Sequence, residues 1–229
     1  MNIVSLIPAA GSGERLGKGE NKSFVKLYGI PILARTLLIF EKCVQIDEII
    51  VIIKKEEILR CSEEIIKPYN IKKVSKIIAG GKKRQDSVKN GLLTIENNVD
   101  IVIIHDGARP FLSQKLLKKL IDSSSLNPAQ IVATKVKNTI KTVSLNKNKI
   151  RTLDRNTLWH AQTPQIFSKD LIINAYTKAY QDNFFSTDDS ALVERLGENI
   201  KIIEGETTNI KITTPLDLLI GEIILKQTN

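Results

Sequence analysis

Apolar positions along the chain fall into two periods. Almost unbroken apolar runs at 3–7, 47–53 and 101–105 are rich in Ile and Val, the signature of strands covered on both faces. Between them, apolar residues recur at helical spacing, as in Ile32, Leu33, Leu37, Leu38 and Phe40. The pattern predicts helices over 31–43, 56–66, 84–95 and 114–123, with Pro31 suited to a first helical turn, Pro68 ending the second helix, and a further strand over 74–78. Strand and helix therefore alternate. Such alternation implies an α/β fold with a mainly parallel twisted sheet, helices on both faces and right-handed crossovers, and 229 residues suit one large domain. Beyond residue 129 the rhythm changes. Strand-like stretches at 130–136, 139–144 and 149–153, with a turn at 145–148, predict a hairpin excursion: a lid, an oligomerisation arm or a surface ribbon. Helices at 169–180 and 188–196, a strand at 200–203 and a closing helix at 215–226 complete the pattern.

In folds of this type ligands bind beyond the carboxyl ends of the strands, which singles out the residues after Ile7, Ile78 and Ile104. The first of these segments is Pro8-Ala9-Ala10-Gly11-Ser12-Gly13-Glu14-Arg15-Leu16, followed by Lys18 and Lys22. Glycines without Cβ let a phosphate approach backbone N–H groups, and the cations after them supply charge. An ordinary Gly-Ser turn is the other reading. It is not a Walker A loop, since Gly11 to Gly17 encloses five residues and Lys18 is followed by Gly19. Nor is it a dinucleotide fingerprint, because Leu16 stands at the third glycine position and the second strand ends in Lys54-Lys55.

The segment after Ile104 is His105-Asp106-Gly107-Ala108-Arg109-Pro110. Asp106 at a strand end suits Mg²⁺, which takes one or two protein carboxylates plus substrate phosphates; equally it suits a turn cap paired with Arg109. His105 reads as a hydrogen-bonded structural histidine. With only His105 and His160 and no serine elbow, a nucleophilic triad has no support. The segment after Ile78 includes Gly80-Gly81-Lys82-Lys83-Arg84-Gln85-Asp86-Ser87, where paired glycines admit a base or ribose, Arg84 can meet a phosphate and Ser87 a base edge; a helix start with exposed cations is the alternative. Thr139 with Lys141, Asp154-Arg155-Asn156, Gln162-Thr163-Pro164-Gln165 and Asn209-Ile210-Lys211-Ile212-Thr213 each read as a cation or hydroxyl in a turn. Trp159 reads as a core or interface anchor.

Net charge narrows the picture only a little. The +9 excess suits an anionic substrate, but the lysines are spread and interleaved with acids, and no aromatic-basic patch suggests nucleic acid. Cys43 and Cys61 lack metal or redox spacing and read as thiols in a reducing compartment. No basic, cleavable leader precedes Pro8, and no apolar run approaches the ~20 residues that cross a bilayer, so the expectation is a cytoplasmic protein.

Seven segments, at 8–16, 80–88, 105–111, 154–159, 162–165, 187–189 and 209–213, together resemble the 2-C-methyl-D-erythritol 4-phosphate cytidylyltransferase family, in that family's order and over nearly the whole chain. The resemblance implies a Rossmann-like nucleotidyltransferase that moves CMP from CTP to the sugar-alcohol phosphate with Mg²⁺, in isoprenoid precursor synthesis. It also implies a homodimer whose β-arm, about 137–154 here, completes the neighbour's site. Carried over residue by residue, Arg15 and Lys22 would stabilise the α-phosphoryl transition state, and Arg155, Lys211 and Thr139 would hold the sugar-alcohol phosphate. Ala9, Ala10, Gly11, Ser12, Gly13, Gly81, Arg84 and Ser87 would meet the nucleotide; Asp106 and Arg109 would serve the metal and the substrate end of the cleft. The chain departs from the family's usual residues at Asn21, where Pro is frequent, and at Lys82 and Asn138, where Asp is. Ribitol-5-phosphate cytidylyltransferase is the rival; Ala108 and the 154–159 segment favour methylerythritol.

Overall fold

A computed structural model of the chain describes residues 1–11, 21–144 and 149–228. In chain order it contains β1 (Ile3–Pro8), a tight pair β2 (Lys26–Leu27) and β3 (Ile30–Pro31), α1 (Ile32–Glu41), β4 (Glu48–Ile53), α2 (Ile58–Cys61), β5 (Val74–Ala79), α3 (Arg84–Leu92), β6 (Ile101–Ile104) and α4 (Gln114–Ser124). Then follow β7 (Ala129–Lys135), β8 (Lys141–Val143), β9 (Ile150–Thr152), β10 (Trp159–Ser168), α5 (Lys169–Gln181), α6 (Ser190–Glu194), β11 (Lys201–Glu204) and α7 (Pro215–Thr228).

Seven strands form the main sheet in the order β11-β7-β10-β6-β1-β4-β5. β1 pairs in parallel with β4 on one side and β6 on the other. The chain thus winds outward from β1 through β4 and β5, then returns to start the other half at β6. That reversal opens a crevice at the carboxyl ends of β1 and β6. β10 is the antiparallel strand of this sheet, inserted between β6 and β7.

Alternation along the strands sorts the core into two layers. Ile3, Ile7, Ile49, Val51, Ile53, Ile101 and Ile103 pack with Leu33, Leu37 and Phe40 of α1 and Leu117 and Leu120 of α4. Val4, Leu6, Ile50, Ile52, Val102 and Ile104 face the other way, onto Val88 of α3, Ile172 and Tyr176 of α5, and Leu192 of α6. Apart from Pro8 and Glu48 at the strand ends, each side chain of β1, β4 and β6 is buried, which is why the sequence there shows no polar alternation.

Several expectations shift on contact with the structure. The 56–66 helix is a single-turn stretch at Lys55–Glu57, then α2, then a wider turn over Ser62–Ile66 that lets Cys61 and Ile65 both bury. Both cysteines are buried and reduced, Cys61 inside α2 and Cys43 just beyond α1. The 162–165 segment is not a turn but the middle of β10, whose ladder to β7 skips from Gln162 to Gln165. Pro164 has no N–H to give that ladder, so the irregularity falls where the donor is missing. The hairpin excursion is present as β8 paired with β9, every residue of both strands exposed.

Candidate active site

The loops at the ends of β1, β5 and β6 converge on a hollow of about 230 Å³, lined among others by Ala9, Ala10, Gly11, Lys22, Gly81, Ser87, Asp106 and Lys211. Each lining segment is pinned by backbone bonds. Ala9 N–H donates to Ile52 O at 2.7 Å, Gly107 N–H to Pro8 O at 3.1 Å, and Gly80 N–H to Ile53 O at 2.8 Å. Glycine is required at the β5 end: a Cβ on Gly80 would stand 2.5 Å from Ala10 Cβ, and one on Gly81 would stand 2.3 Å from Asp86 Cβ. Ser87 Oγ accepts from Gly81 N–H at 3.1 Å, which folds the glycine pair onto the start of α3.

Among the described residues, five basic side chains, Lys22, Lys82, Lys83, Arg84 and Lys211, line the hollow with one carboxylate, Asp106. A cleft so biased attracts a polyanion. Asp106 accepts from Lys211 Nζ at 2.7 Å and Arg84 Nε at 3.2 Å, and Arg109 Nε lies 3.7 Å away. Burial opposes ionisation of Asp106, but these three cations outweigh it and hold the carboxyl well below the usual carboxylate range. Arg84 has its own anchor, because Nη1 and Nη2 donate to the two oxygens of Asp189 at 2.8 and 2.6 Å. Tyr176 Oη donates to the same carboxylate at 2.6 Å. Burial works against the Arg84 charge, and Asp189 and Asp106 more than restore it.

A second web fixes the turn that carries Asp106 and Arg109. His105 is fully buried, which holds its imidazole neutral by pushing its pKa down to about 4. Its Nε2 lies 3.0 Å from Arg109 O, an atom that only accepts, so Nε2 carries the proton. Nδ1 is then an acceptor for the Thr163 hydroxyl at 3.2 Å, while Thr163 Oγ1 accepts from Asp106 N–H at 3.0 Å. Arg109 Nη1 donates to Asn209 O at 2.8 Å, and Asn209 Nδ2 to Thr163 O at 2.9 Å. Three segments distant in sequence are thereby locked around one carboxylate.

Of the residues singled out in the sequence, Ala9, Ala10, Gly11, Lys22, Gly81, Arg84, Ser87, Asp106 and Lys211 come together here. Arg109 sits behind Asp106. Ser12, Gly13 and Arg15 lie outside the described residues. Thr139 and Arg155 are exposed on and beside the β8–β9 ribbon, where Arg155 Nη1 donates to Lys137 O at 3.3 Å, and they are not among the residues that line the hollow. The sequence reading missed Asn21, Thr163, Tyr176 and Asp189 as site-builders. Asp189 carried a signal, the adjacent acids just before a helix, but its partner Arg84 is 105 residues away.

As a metal centre the donor set is poor. Among the described residues no three His, Cys, Asp or Glu side chains cluster to hold an ion. The carboxylate of Asp106 faces three cations, so the described residues offer a Mg²⁺ ion a single carboxylate that is already paired within the protein.

A family model described as IspD, 2-C-methyl-D-erythritol 4-phosphate cytidylyltransferase, matches residues 3–227. A Clostridioides difficile protein of that name is 48% identical over 220 residues, which is 96% of this chain and 92% of the relative. One from Syntrophus aciditrophicus is 42% identical over 225 residues, covering 98% and 96%. Among solved structures, the 4-diphosphocytidyl-2C-methyl-D-erythritol synthase of Anaerococcus prevotii superposes with a TM-score of 0.86 at 34% identity, covering 98% of this chain and 96% of that one. The match runs from the first core strand into the last helix and takes in every segment around the hollow, so the chain belongs to the 2-C-methyl-D-erythritol 4-phosphate cytidylyltransferase family.

Proposed function

We infer that the hollow binds CTP and that the chain transfers its CMP group to the phosphate of 2-C-methyl-D-erythritol 4-phosphate, giving 4-diphosphocytidyl-2-C-methyl-D-erythritol and pyrophosphate for isoprenoid precursor synthesis. A phosphate oxygen of the sugar-alcohol phosphate attacks the α-phosphorus in line, and the bond from that phosphorus to the β-phosphate bridging oxygen breaks. The attacking phosphate is already ionised at neutral pH, so the reaction needs alignment and charge relief more than proton transfer. The observation that carries this reading is the convergence of five cations and three bare-backbone loops at the β1–β6 reversal, in a chain of this family.

Lys22 and Arg15 stabilise the five-coordinate α-phosphoryl group. Ala9, Ala10, Gly11, Ser12, Gly13, Gly81 and Ser87 seat the nucleotide, with Arg84 bracing the same wall. Lys211, Asp106 and Arg109 meet the second substrate. Mg²⁺ carried by the triphosphate would supply charge neutralisation there, and Asp106, the carboxylate that lines the hollow among the described residues, would be the group to meet it. Thr139 and Arg155 complete the site of a second copy: they are exposed on and beside the arm, and apolar Val143 and Ile150 on the ribbon and Leu216, Leu219 and Ile223 on α7 are also exposed, which supports a homodimer through the arm. We place the enzyme in the cytoplasm, with small phosphorylated substrates and neither membrane nor nucleic acid as partners; separately, no helix among the described residues is long and apolar enough to cross a membrane. Incubation with CTP and Mg²⁺ plus either methylerythritol 4-phosphate or ribitol 5-phosphate tests the reading. Pyrophosphate release with the first alone is expected, and release with ribitol 5-phosphate alone overturns it.

A further inference from the structure

We propose that Asn21 is a positioning residue for Lys22, tying the segment that carries Lys22 to the carbonyl of Ala9 in the nucleotide loop, with Glu57 fixing the orientation of its amide. The proposal rests on the role given to Lys22 above. Asn21 is 4% exposed, and each polar atom of its side chain is matched. Nδ2 donates to Glu57 Oε2 at 2.6 Å and to Ala9 O at 3.3 Å; Oδ1 accepts from Ser23 N–H at 3.0 Å. A carboxylate and a carbonyl only accept and a backbone N–H only donates, so the amide stands one way round and no other. A bond to an ionised partner is also the strong member of the set.

Lys22 therefore lies between two residues anchored to the same atom, because Ser23 Oγ also donates to Ala9 O, at 3.3 Å. Ala9 is itself held to β4 through Ile52 O at 2.7 Å. On its far side the segment is stitched to the start of α1, with Leu33 N–H donating to Ser23 O at 3.1 Å and Ile32 N–H to Val25 O at 2.9 Å. Lys22 Nζ reaches across the hollow to Ile212 O at 3.5 Å. The clamp consequently fixes the Lys22 backbone relative to Ala9 of the nucleotide loop, and so sets the point from which the Lys22 stem reaches into the hollow.

Asn21→Asp keeps the size and the acceptor for Ser23 N–H but removes both donors and places a carboxylate against Glu57. The expected result is a fall in kcat on the order of 10²-fold, the scale of a misplaced catalytic group, with KM for CTP little changed; the facing carboxylates also lower the melting temperature, by the same amount whether or not Lys22 is present. In a Lys22→Ala background the same substitution should lower kcat no further, since the group being positioned is gone. An unchanged kcat in Asn21→Asp, or an equal loss of kcat in both backgrounds, overturns the proposal while leaving Lys22 its role. Full turnover in Lys22→Ala alone overturns that role and the proposal with it. Should Asn21→Asp fail to fold, the less buried Glu57→Ala is read by the same criteria, with a smaller fall in kcat expected.

Discussion

Charge at single residues governs how this site behaves with pH. His105 is neutral when folded, with a pKa of about 4 against an ordinary 6.5. The unfolded chain therefore binds the extra proton throughout that window, and stability must fall as pH is lowered through it, by roughly 3 kcal/mol in all. Denaturant titrations between pH 7 and 4 should show this slope, and a His105→Gln chain should lose it. Asp106 has the depressed pKa of a paired carboxylate, so its contribution is present above the ordinary 3.8 and drains away only in stronger acid. Breaking the other buried pair, Asp189→Ala strips Nη1 and Nη2 of Arg84 of their carboxylate, with only Asp106 left at Nε, and should cost about 3 to 5 kcal/mol in the same titrations. For turnover, Lys22→Ala or Arg15→Ala should lower kcat by about 10²- to 10³-fold while CTP affinity changes little, as when one transition-state donor is lost. Asp106 and Arg109 were readable in the sequence because a polar cluster at the end of an apolar strand is a local signal. For Asp189 and Asn21 the residues were marked but their pairings were not: the partners Arg84, Ala9 and Glu57 are brought in by the fold, and no spacing encodes them.

At the scale of elements, the paired glycines after β5 have the sharpest requirement. Gly81→Ala would set its methyl 2.3 Å from Asp86 Cβ, inside the start of α3, where a backbone shift is the relief available. The expected outcome is a loss of about 1 to 3 kcal/mol in stability, the usual cost of overpacking, and a raised KM for CTP with the β6 side of the hollow unaffected. Thermal melts alongside CTP titration check both parts. Strands β1, β4 and β6 were legible because uninterrupted Ile and Val can only be satisfied by cover on two sides. β10 was not, since Gln162, Thr163, Pro164 and Gln165 look like a turn, and their burial comes from neighbours and side-chain bonds that periodicity does not record. The two-residue strands β2 and β3 are too short to leave any period.

For the molecule as a whole, the alternation of strands and helices was enough to place the crevice, since winding direction reverses once and ligands collect at that reversal. Lys211 lines the hollow, whereas Arg155 and Thr139 stand exposed on and beside the arm. In the twofold pair proposed above, each site would draw from both copies. At a sugar-alcohol phosphate concentration well below the raised KM values, where Lys211→Ala and Arg155→Ala chains each turn over poorly, mixing the two should raise pyrophosphate release, because a mixed pair contains one site free of both changes. No gain on mixing, with exchange confirmed by mass, would rule out a shared site. Arg155→Ala alone should raise KM for the sugar-alcohol phosphate and leave CTP binding as it was.

The lone strand that runs against its neighbours joins these scales. β10 starts at Trp159, next to the foot of the ribbon, and further along it presents the hydroxyl that receives Asp106 N–H. With β6 and β7 zipped along either edge, it behaves as a stiff plank and not a tether. In the proposed pair, a partner gripping the ribbon would load β10, and through it the Thr163 hydroxyl that receives Asp106 N–H, so that association and chemistry would share one mechanical part.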